Sequence, residues 1–375
     1  MSKPTVAILA DFPVFEVDPM QPRPRGHYAI WLSALFDSLK TQDEYNIHWV
    51  TLCKHLPDAR HIIAGGQHFH LLPRARKKLG LYSLYVYDRF HVAQALKQIH
   101  PDLVHAWGTE DCYALCGKDF AGRKLLSIQG LLRTYMQRAR MSTFERHHSL
   151  YEIPAIKAYR HITTESPWAA EQALAQAPGR VVHHLEYAVE ERFSDMQRHP
   201  SETPTVLFGG TNTPVKNIPT LVRAFSDPRL AHVTLRLAGP EPNDFPQGLP
   251  NNITALGRIS RDEMVRKMAS VWCLVHPSLA DTGPTVAKEA RVMGLPVILS
   301  TACGSKQHIV EGKSGYIIDP LDTEQLIRAV LSVTASRETS IGMGRFGQEQ
   351  CRRALCSETM RERLLEIYRE RLAEQ

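Results

Sequence analysis

The sequence VWCLVHPSLADTGPTVAKEARVMGLPVI, residues 271–298, decides the fold, because a strand, a polar loop and a helix follow one another in it. The apolar residues before His276 predict a strand that is buried on both faces, as in a parallel sheet. We predict a helix that begins at Pro284, with Gly283 as its N-cap, and stops at Gly294. A helix that starts there offers unpaired amides to an anion beyond the carboxyl end of the strand.

Two acidic residues flank the start of this predicted helix. Asp281 lies in the loop, and Glu289 follows eight positions later inside the helix. A carboxylate at Glu289 can accept hydrogen bonds from the two vicinal hydroxyls of a ribose, while Asp281 can meet a second set of hydroxyls. For an isolated D-x7-E pair, the competing interpretation is a capping acid and a solvated helical glutamate.

The segment PSLADTGPTVAKEARVMGLPVILS (277–300) resembles the signature of retaining glycosyltransferases of family 4. The stretch VLFGGTNTPVKNIPTLVRAF (206–225) is similar to the first strand and loop of that family's nucleotide-binding domain, and the resemblance continues through nearly all of residues 204–333. It implies an α/β protein of the GT-B fold, with two Rossmann-like doubly wound domains facing a central cleft. It also implies transfer from a nucleotide-sugar with retention of configuration and no metal.

Length and segmentation indicate two domains. A chain of 375 residues exceeds what one hydrophobic core usually supports. Alternating strands and helices precede the polar stretch EERFSDMQRHPSETPT, and a second set follows it. We therefore expect an N-terminal acceptor-side domain over residues 1–190 and a C-terminal nucleotide-sugar-binding domain over 203–356. By resemblance, the final helix, 357–375, packs back on the first domain.

Lys216 is the strongest candidate for stabilising a departing diphosphate. It follows Gly209 and Gly210, which permit close backbone approach, and it precedes a predicted helix near Ile218. The competing interpretation is a solvated lysine. By resemblance, the catalytic residues are Lys216, Asp281 and Glu289, and the donor-binding residues are Gly209, Gly210, Thr211, Arg258, Ile259, Thr282, Gly283, Pro284 and Thr285.

Three positions depart from the family's usual pattern. Thr211 stands where an arginine usually joins the lysine, and Arg258 could replace part of that charge. Asp281 stands where many members carry glutamate, and Gln129 stands where many carry histidine beside the reacting sugar. These departures keep open the alternative of a catalytically silent partner or scaffold protein.

The first domain offers candidates for the acceptor or sugar side of the site. By resemblance, Gly26 and His27 face the diphosphate and acceptor, and Gln129 lies beside the sugar. Trp107 and Glu110 follow a predicted strand and are expected on the rim of the cleft. The competing interpretations are a solvated loop histidine, an ordinary strand-end glutamine and a helix-start acid.

Composition and charge limit which metal ions, lipid surfaces and nucleic acids the chain is expected to bind. The scattered cysteines and the histidines His55, His61, His68 and His70 lack convincing metal-ligand spacing, and neither a metal nor a cofactor is expected, since the nucleotide-sugar is a substrate. The formal net charge is +6. RARKK (74–78) and arginines between 133 and 146 suit either an anionic lipid surface or a solvated basic face. Without a recognised nucleic-acid module, we do not expect nucleic acid as a partner.

The elements W-G-T-E (107–110) and S-I-Q-G (127–130) resemble those of family members that build bacterial surface polysaccharides. This resemblance implies a hexosyltransferase that serves cell-surface polysaccharide biosynthesis. Its partners are a nucleotide-sugar donor and a glycan or lipid-linked glycan acceptor. Because no apolar run is long enough for a membrane span and the start reads as a strand, we expect a cytoplasmic protein, with peripheral contact to the inner face of the membrane. A nicotinamide dehydrogenase would share doubly wound domains, but no G-x-G-x-x-G follows a strand here.

Overall fold

The computed structural model describes residues 3–19, 21, 29–54 and 56–374. The chain divides into two compact units. Unit 1 comprises 1–134, 142–188 and 357–375, and unit 2 comprises 135–141 and 189–356. Gly26 and His27 lie outside the described residues.

Unit 1 is built on an eight-stranded sheet within the described residues, with the order β3-β4-β2-β1-β5-β6-β7-β8. Its strands are β1 Thr5–Leu9, β2 Asn46–Cys53, β3 Arg60–Ala64, β4 Gln67–Pro73, β5 Leu103–Trp107, β6 Arg123–Ile128, β7 His161–Thr164 and β8 Val181–His184. The paired strands are parallel except that β3 runs antiparallel to β4. Strand β5 is buried along its whole length, as expected for a strand with both faces covered.

Helices cover both faces of this sheet. They are α1 Ile30–Leu39, α2 Lys77–Tyr82, α3 Val86–Ile99, α4 Tyr113–Gly117, α5 Leu132–Arg138, α6 Thr143–Lys157 and α7 Pro167–Gln176. Local sequence explains several of their starts: Ser142 and Glu145 form a capping box at α6, and Ser166 caps α7 ahead of a proline.

Unit 2 is built on a six-stranded parallel sheet with the order β11-β10-β9-β12-β13-β14. Its strands are β9 Thr205–Gly209, β10 Thr234–Ala238, β11 Ile253–Gly257, β12 Cys273–His276, β13 Val297–Ser300 and β14 Gly315–Ile318. Its helices are α8 Glu191–Asp195, α9 Ile218–Phe225, α10 Arg261–Ser270, α11 Thr285–Met293, α12 Thr323–Val333, α13 Arg337–Arg345 and α14 Gln348–Ala354.

The last helix, α15 Ser357–Ala373, belongs to unit 1. Its apolar residues Leu364, Ile367 and Tyr368 join the core cluster that lies on the α1 side of the sheet. The Tyr368 hydroxyl meets Nδ1 of the buried His105 on β5 at 2.8 Å. Unit 1 is therefore completed by residues from the far end of the chain.

Each sheet has a point where the strand order reverses. In unit 2 the chain moves outward from β9 through β10 to β11, and it then returns to place β12 on the other side of β9. Ligands of open parallel sheets bind beyond the carboxyl ends of the strands at such a point. In unit 1 the corresponding position lies beyond β1 and β5.

Candidate active site

The carboxyl end of β9 approaches the first turn of α11 very closely. A Cβ atom on Gly209 would lie only 2.7 Å from Cγ2 of Val286 in α11. Gly239, which follows β10 with a φ of +117°, lies so near that its Cβ would be 2.0 Å from the carbonyl oxygen of Gly210. Glycine is therefore required at these positions, and the backbone of Gly209 and Gly210 lies beside the start of the helix.

Lys216 is held in place by backbone geometry on both sides. It ends a short 3₁₀ turn, and Asn217 adopts a left-handed conformation with a φ of +58°. The Asn217 amide group donates to the carbonyl of Pro277 at 3.0 Å and to that of Pro320 at 2.7 Å. These bonds tie the Lys216 loop to the loop after β12, and α9 starts at Ile218, as the sequence predicts.

Lys216 and His276 converge on one oxygen of Asp281. The Lys216 ammonium lies 2.5 Å from Oδ2 of Asp281, and Nε2 of His276 lies 3.1 Å from the same oxygen. Burial by itself would raise the pKa of Asp281, but the positive charge of Lys216 and the His276 hydrogen bond outweigh it and hold that pKa well below its usual value. Asp281 is therefore an anion in the folded protein.

His276 is neutral at the pH of the cell and acts as a fixed hydrogen-bond donor. Its ring is fully buried and stacks on Phe208, with centroids 5.5 Å apart and planes 8° apart. Burial lowers the pKa of His276, although the hydrogen bond to Asp281 opposes this. A neutral ring that donates from Nε2 orients the Asp281 carboxylate without adding a charge.

Glu289 is buried and paired with a cation that the sequence analysis did not identify. Its Oε1 atom accepts from Nη2 of Arg261 at 2.5 Å, and Arg261 also donates from Nε to Glu190 at 2.8 Å. The guanidinium stacks over Phe193 at 4.7 Å. Burial raises the pKa of Glu289 and Arg261 opposes that rise. The predicted ribose ligand is thus held by an ion pair in a fixed orientation.

The start of α11 differs in detail from the prediction. Pro284, not Gly283, is the N-cap, because its extended ψ of 113° places Thr285 as the first helical residue. Gly294 ends the helix in the left-handed conformation, as the sequence predicts. The Ala287 amide donates to the Pro284 carbonyl at 3.0 Å. The amides of Thr285 and Val286 precede this first intrahelical bond, so the helix presents donors and a positive dipole end beside Gly209.

The remaining donor-side residues fall into two groups. Thr282 is buried next to Asp281, and Ile259 packs against the core of unit 2. Thr211 and Arg258 are exposed, and the Arg258 backbone N–H donates to Oε1 of Glu241 at 3.2 Å.

In unit 1, two predicted residues meet beyond the carboxyl ends of β5 and β6. A Cβ on Gly108 would lie 2.7 Å from Oε1 of Gln129 and 3.1 Å from Oε2 of Glu110, so both side chains flank this glycine. Burial raises the pKa of Glu110. Nearby Glu152 accepts from the backbone amides of Leu132 and Arg133, and burial raises the pKa of Glu152 to about 7.

The prediction that Trp107 lies on the rim is wrong. Its side chain is 2% exposed, packs on Tyr187 with ring centroids 5.2 Å apart, and donates to Nδ1 of His105 at 3.3 Å. Trp107 is the last residue of β5, and its side chain points into the sheet-covering core instead of beyond the strand end.

The histidine-rich edge of unit 1 forms a stack of rings. Nδ1 of His48 meets Nε2 of His70 at 2.9 Å, and Nε2 of His61 meets Nδ1 of His68 at 3.1 Å. Burial lowers the pKa values of His48 and His70 to about 4, so both are neutral. Within the described ranges, no group of three or more His, Cys, Asp or Glu side chains could hold a metal ion.

Residues 203–336 match the family model described as Glycosyl transferases group 1. The chain contains a glycosyltransferase group 1 domain. This domain holds Lys216, Asp281 and Glu289. A sulfoquinovosyl transferase from Arabidopsis thaliana is 32% identical over 28% of this chain, and a D-inositol 3-phosphate glycosyltransferase from a Nocardioides species is 25% identical over 47% of it. The matched parts span only 20% and 43% of those two relatives.

Solved structures show that the group 1 domain forms part of a GT-B fold. Sucrose-phosphate synthase from Thermosynechococcus elongatus superposes with a TM-score of 0.78 at 17% identity, covering 98% of this chain and 99% of that one. HepE from Anabaena, solved with UDP and glucose, superposes with a TM-score of 0.67 at 15% identity over 98% of this chain and 99% of its own. The predicted α/β fold of the GT-B class is confirmed.

Arg261, Glu190 and His276 are the site residues that sequence reasoning missed. Glu190 lies 71 positions from Arg261, so no local spacing connects them. One signal was available: Arg261 is the first residue of α10, directly after the N-cap Ser260, where a cation faces the positive end of the helix dipole. A cation is disfavoured in that place unless an acidic group compensates it.

Proposed function

We propose that the chain is a nucleotide-sugar-dependent hexosyltransferase that retains the anomeric configuration and needs no metal ion. The observation that carries the proposal is the Lys216–Asp281 ion pair beside the N-terminus of α11, at the point where the strand order of unit 2 reverses. Lys216, the amides of α11 and the Gly209–Gly210 backbone together present positive charge and donors suited to a diphosphate.

In the proposed reaction, the bond between the anomeric carbon and the diphosphate oxygen breaks, and the acceptor oxygen bonds to that carbon on the same face. The proton of the acceptor hydroxyl passes to the departing diphosphate. Lys216 and the α11 amides stabilise the negative charge that develops on the leaving group. Asp281, oriented by His276, binds hydroxyls of the donor sugar, and Glu289, oriented by Arg261, binds those of the ribose.

UDP-glucose is the first donor to test, because HepE was solved with UDP-glucose and another GT-B structure with UDP-2-fluoro glucose. We propose a glycan or lipid-linked glycan acceptor, in cell-surface polysaccharide biosynthesis. Glu110 and Gln129, which flank Gly108, are its proposed contacts in unit 1. The half-buried Glu110 carboxylate would accept from acceptor hydroxyls.

The test is donor turnover by the purified full chain. UDP-, GDP-, ADP- and CDP-sugars are incubated with alkyl glycosides or a bacterial lipid extract, with and without EDTA, and release of the nucleoside diphosphate is measured. We expect release with one donor class, undiminished by EDTA, and a product whose anomeric proton coupling in NMR matches that of the donor. Binding of a nucleotide without release under any condition would favour the silent-partner alternative.

A further inference from the structure

Unit 1 carries a concentrated set of exposed apolar side chains on the turn between α2 and α3. We call it the 79–90 apolar surface, and its members are Leu79, Tyr82, Leu84, Val86, Tyr87 and Phe90. Their exposed fractions run from 46% for Tyr87 to 71% for Tyr82. Leu150 on α6, 59% exposed, extends the set, since Tyr82 contacts the ring of His147 one helical turn before it. Soluble proteins rarely leave so many large apolar side chains together in water.

The backbone holds this surface outward in a fixed conformation. Leu84 and Tyr85 both have a φ of +55°, which is uncommon for residues other than glycine. The Tyr85 amide donates to the carbonyl of Gly80 at 2.7 Å, and the buried Tyr85 hydroxyl meets Nδ1 of His148 at 3.0 Å. Because Tyr85 is anchored inside, its neighbours Leu84 and Val86 point into solvent. Such strain persists where the surrounding structure fixes it, and it is frequent at functional surfaces.

The same part of the chain is rich in basic residues. Residues 59–100 contain seven Lys or Arg and one acid, Asp88, whereas the chain has 45 basic and 39 acidic residues and a net charge of +6. Asp88 is 1% exposed and accepts from the Ala75 amide at 2.8 Å. Arg60, Arg74 and Arg89 are paired with acids from other segments, which are Asp18, Asp111 and Asp119. Arg76 and Lys97 are exposed and give the surface its positive charge.

We propose that the 79–90 apolar surface binds the interface of an anionic lipid bilayer. Leucine, phenylalanine and tyrosine side chains suit the boundary between head groups and acyl chains, and the flanking cations suit anionic head groups. The exposed cations Arg76 and Lys97 disfavour a basic protein partner, and the apolar centre does not suit nucleic acid. Among the described residues, none of the helices combines the length and apolar character needed to cross a membrane. The contact proposed here lies on the surface of the bilayer.

The binding test uses the full chain without any nucleotide, so that it does not depend on the proposed transferase activity. Sedimentation is measured with vesicles of phosphatidylcholine alone and of phosphatidylcholine with 30% phosphatidylglycerol. We expect binding to the anionic vesicles only, weakened by raising the salt concentration from 0.1 to 0.5 M. A nucleotide titration of the same sample reports separately on the proposed function.

Two sets of variants separate the apolar and electrostatic contributions. Leu79→Ser/Tyr82→Ser/Phe90→Ser should weaken binding at least tenfold, whereas the matched control Val310→Ser/Leu321→Ser/Phe346→Ser, exposed apolar residues of unit 2, should bind as wild type. Arg76→Gln/Lys97→Gln should weaken it about 25-fold, since each cation near an anionic surface contributes about a five-fold factor. Its charge-matched control in unit 2 is Lys313→Gln/Arg328→Gln, which removes two exposed cations.

Three outcomes would overturn the proposal. The first is that the wild type does not sediment with anionic vesicles. The second is that the Leu79/Tyr82/Phe90 variant binds them as tightly as the wild type does. The third is that the unit 2 control variants lose as much binding as the unit 1 variants. Analytical ultracentrifugation tests whether a second copy of the chain binds this surface instead. A concentration-dependent dimer that disappears in the 79–90 variant, together with no vesicle binding, would assign the surface to that second copy.

Discussion

Replacing Arg261 by methionine should destabilise unit 2, and the loss should grow with pH. In the wild type, Arg261 is the cation in contact with the Glu289 carboxylate, whose side chain is 1% exposed. Methionine retains most of the aliphatic volume over Phe193 but cannot donate. The variant therefore removes the charge partner while keeping much of the packing.

The magnitude follows from the cost of an uncompensated buried carboxylate. Removing one partner of a buried ion pair typically costs about 3–5 kcal/mol. The Arg261 side chain is 28% exposed, so water can reach part of the vacated volume, and we expect about 3 kcal/mol at pH 8. The pKa of Glu289 is already raised by burial, and it should rise further in the variant. The carboxyl group can then avoid the cost by taking up a proton.

The sign of the pH dependence is fixed by that raised pKa. A carboxyl group that binds its proton more tightly in the folded state than in the unfolded state favours folding at low pH. That contribution is lost as pH rises from the ordinary glutamate value, about 4.5, through the folded value. The difference in unfolding free energy between wild type and variant should therefore be small near pH 5 and approach its full value by pH 8.

Urea unfolding followed by ¹⁹F NMR of 5-fluorotryptophan-labelled protein can isolate unit 2. Trp272 is the one tryptophan between residues 189 and 356, so its resonance reports on that unit. The matched control is Arg192→Met, because Arg192 is 46% exposed in its ion pair with Asp262 and should cost less than about 1 kcal/mol.

A double variant tests whether the unpaired Glu289 carboxylate causes the loss of stability. Arg261→Met/Glu289→Gln removes the buried charge as well as its partner, so it should recover a large part of the stability and lose the pH dependence. The account of Glu289 would be refuted if Arg261→Met cost no more than Arg192→Met, or if its cost were the same at pH 5 and pH 8.

Two further predictions concern stability. In urea unfolding, Gly239→Ala should lower the free energy of unfolding by several kcal/mol more than Gly248→Ala does. Both glycines have a positive φ. A Cβ at Gly239 would lie 2.0 Å from the carbonyl oxygen of Gly210, whereas nothing lies within 4 Å of a Cβ at Gly248. Equal costs would contradict the close approach of β9 and β10. The pKa of Glu152 is raised to about 7, so its contribution to stability should fall as pH rises from about 4.5 to about 7. The stability of Glu152→Gln relative to wild type should therefore increase over that window, and a constant difference would contradict the raised pKa.

The parts of the fold that local chemistry determines could be predicted from the sequence. Helix α11 spans Thr285–Met293 against a predicted start at Pro284, because a proline and a left-handed glycine fix its two ends. Trp107 was misplaced because every residue of β5 is buried, so hydrophobic alternation could not show which face the side chain takes. Pairings set by tertiary structure, such as Lys216 with Asp281 across 65 positions, have no local signature.

Only part of the chemistry of the site could be predicted from the sequence, because tertiary pairings have no local signature. Resemblance and spacing indicated Lys216, Asp281 and Glu289, but not that the first two form an ion pair or that Arg261 holds the third. The strained turn at Leu84 and Tyr85 was also beyond sequence reasoning, since neither residue normally favours a positive φ. The basic run at 74–78 was visible, whereas the apolar surface beside it became apparent only from exposure.

The claim that unit 2 binds the diphosphate of a nucleotide-sugar is tested most directly by calorimetric titration of UDP, GDP, ADP and CDP into wild type, Lys216→Ala and the control Lys313→Ala. Loss of a charge-assisted contact costs about 1.5–3 kcal/mol, and Lys216→Ala also leaves the Asp281 anion to repel phosphate. We predict that one nucleoside diphosphate binds wild type and the control equally and binds Lys216→Ala at least tenfold more weakly. Binding that is unchanged in Lys216→Ala, or no binding of any nucleotide to folded wild type, would contradict the claim.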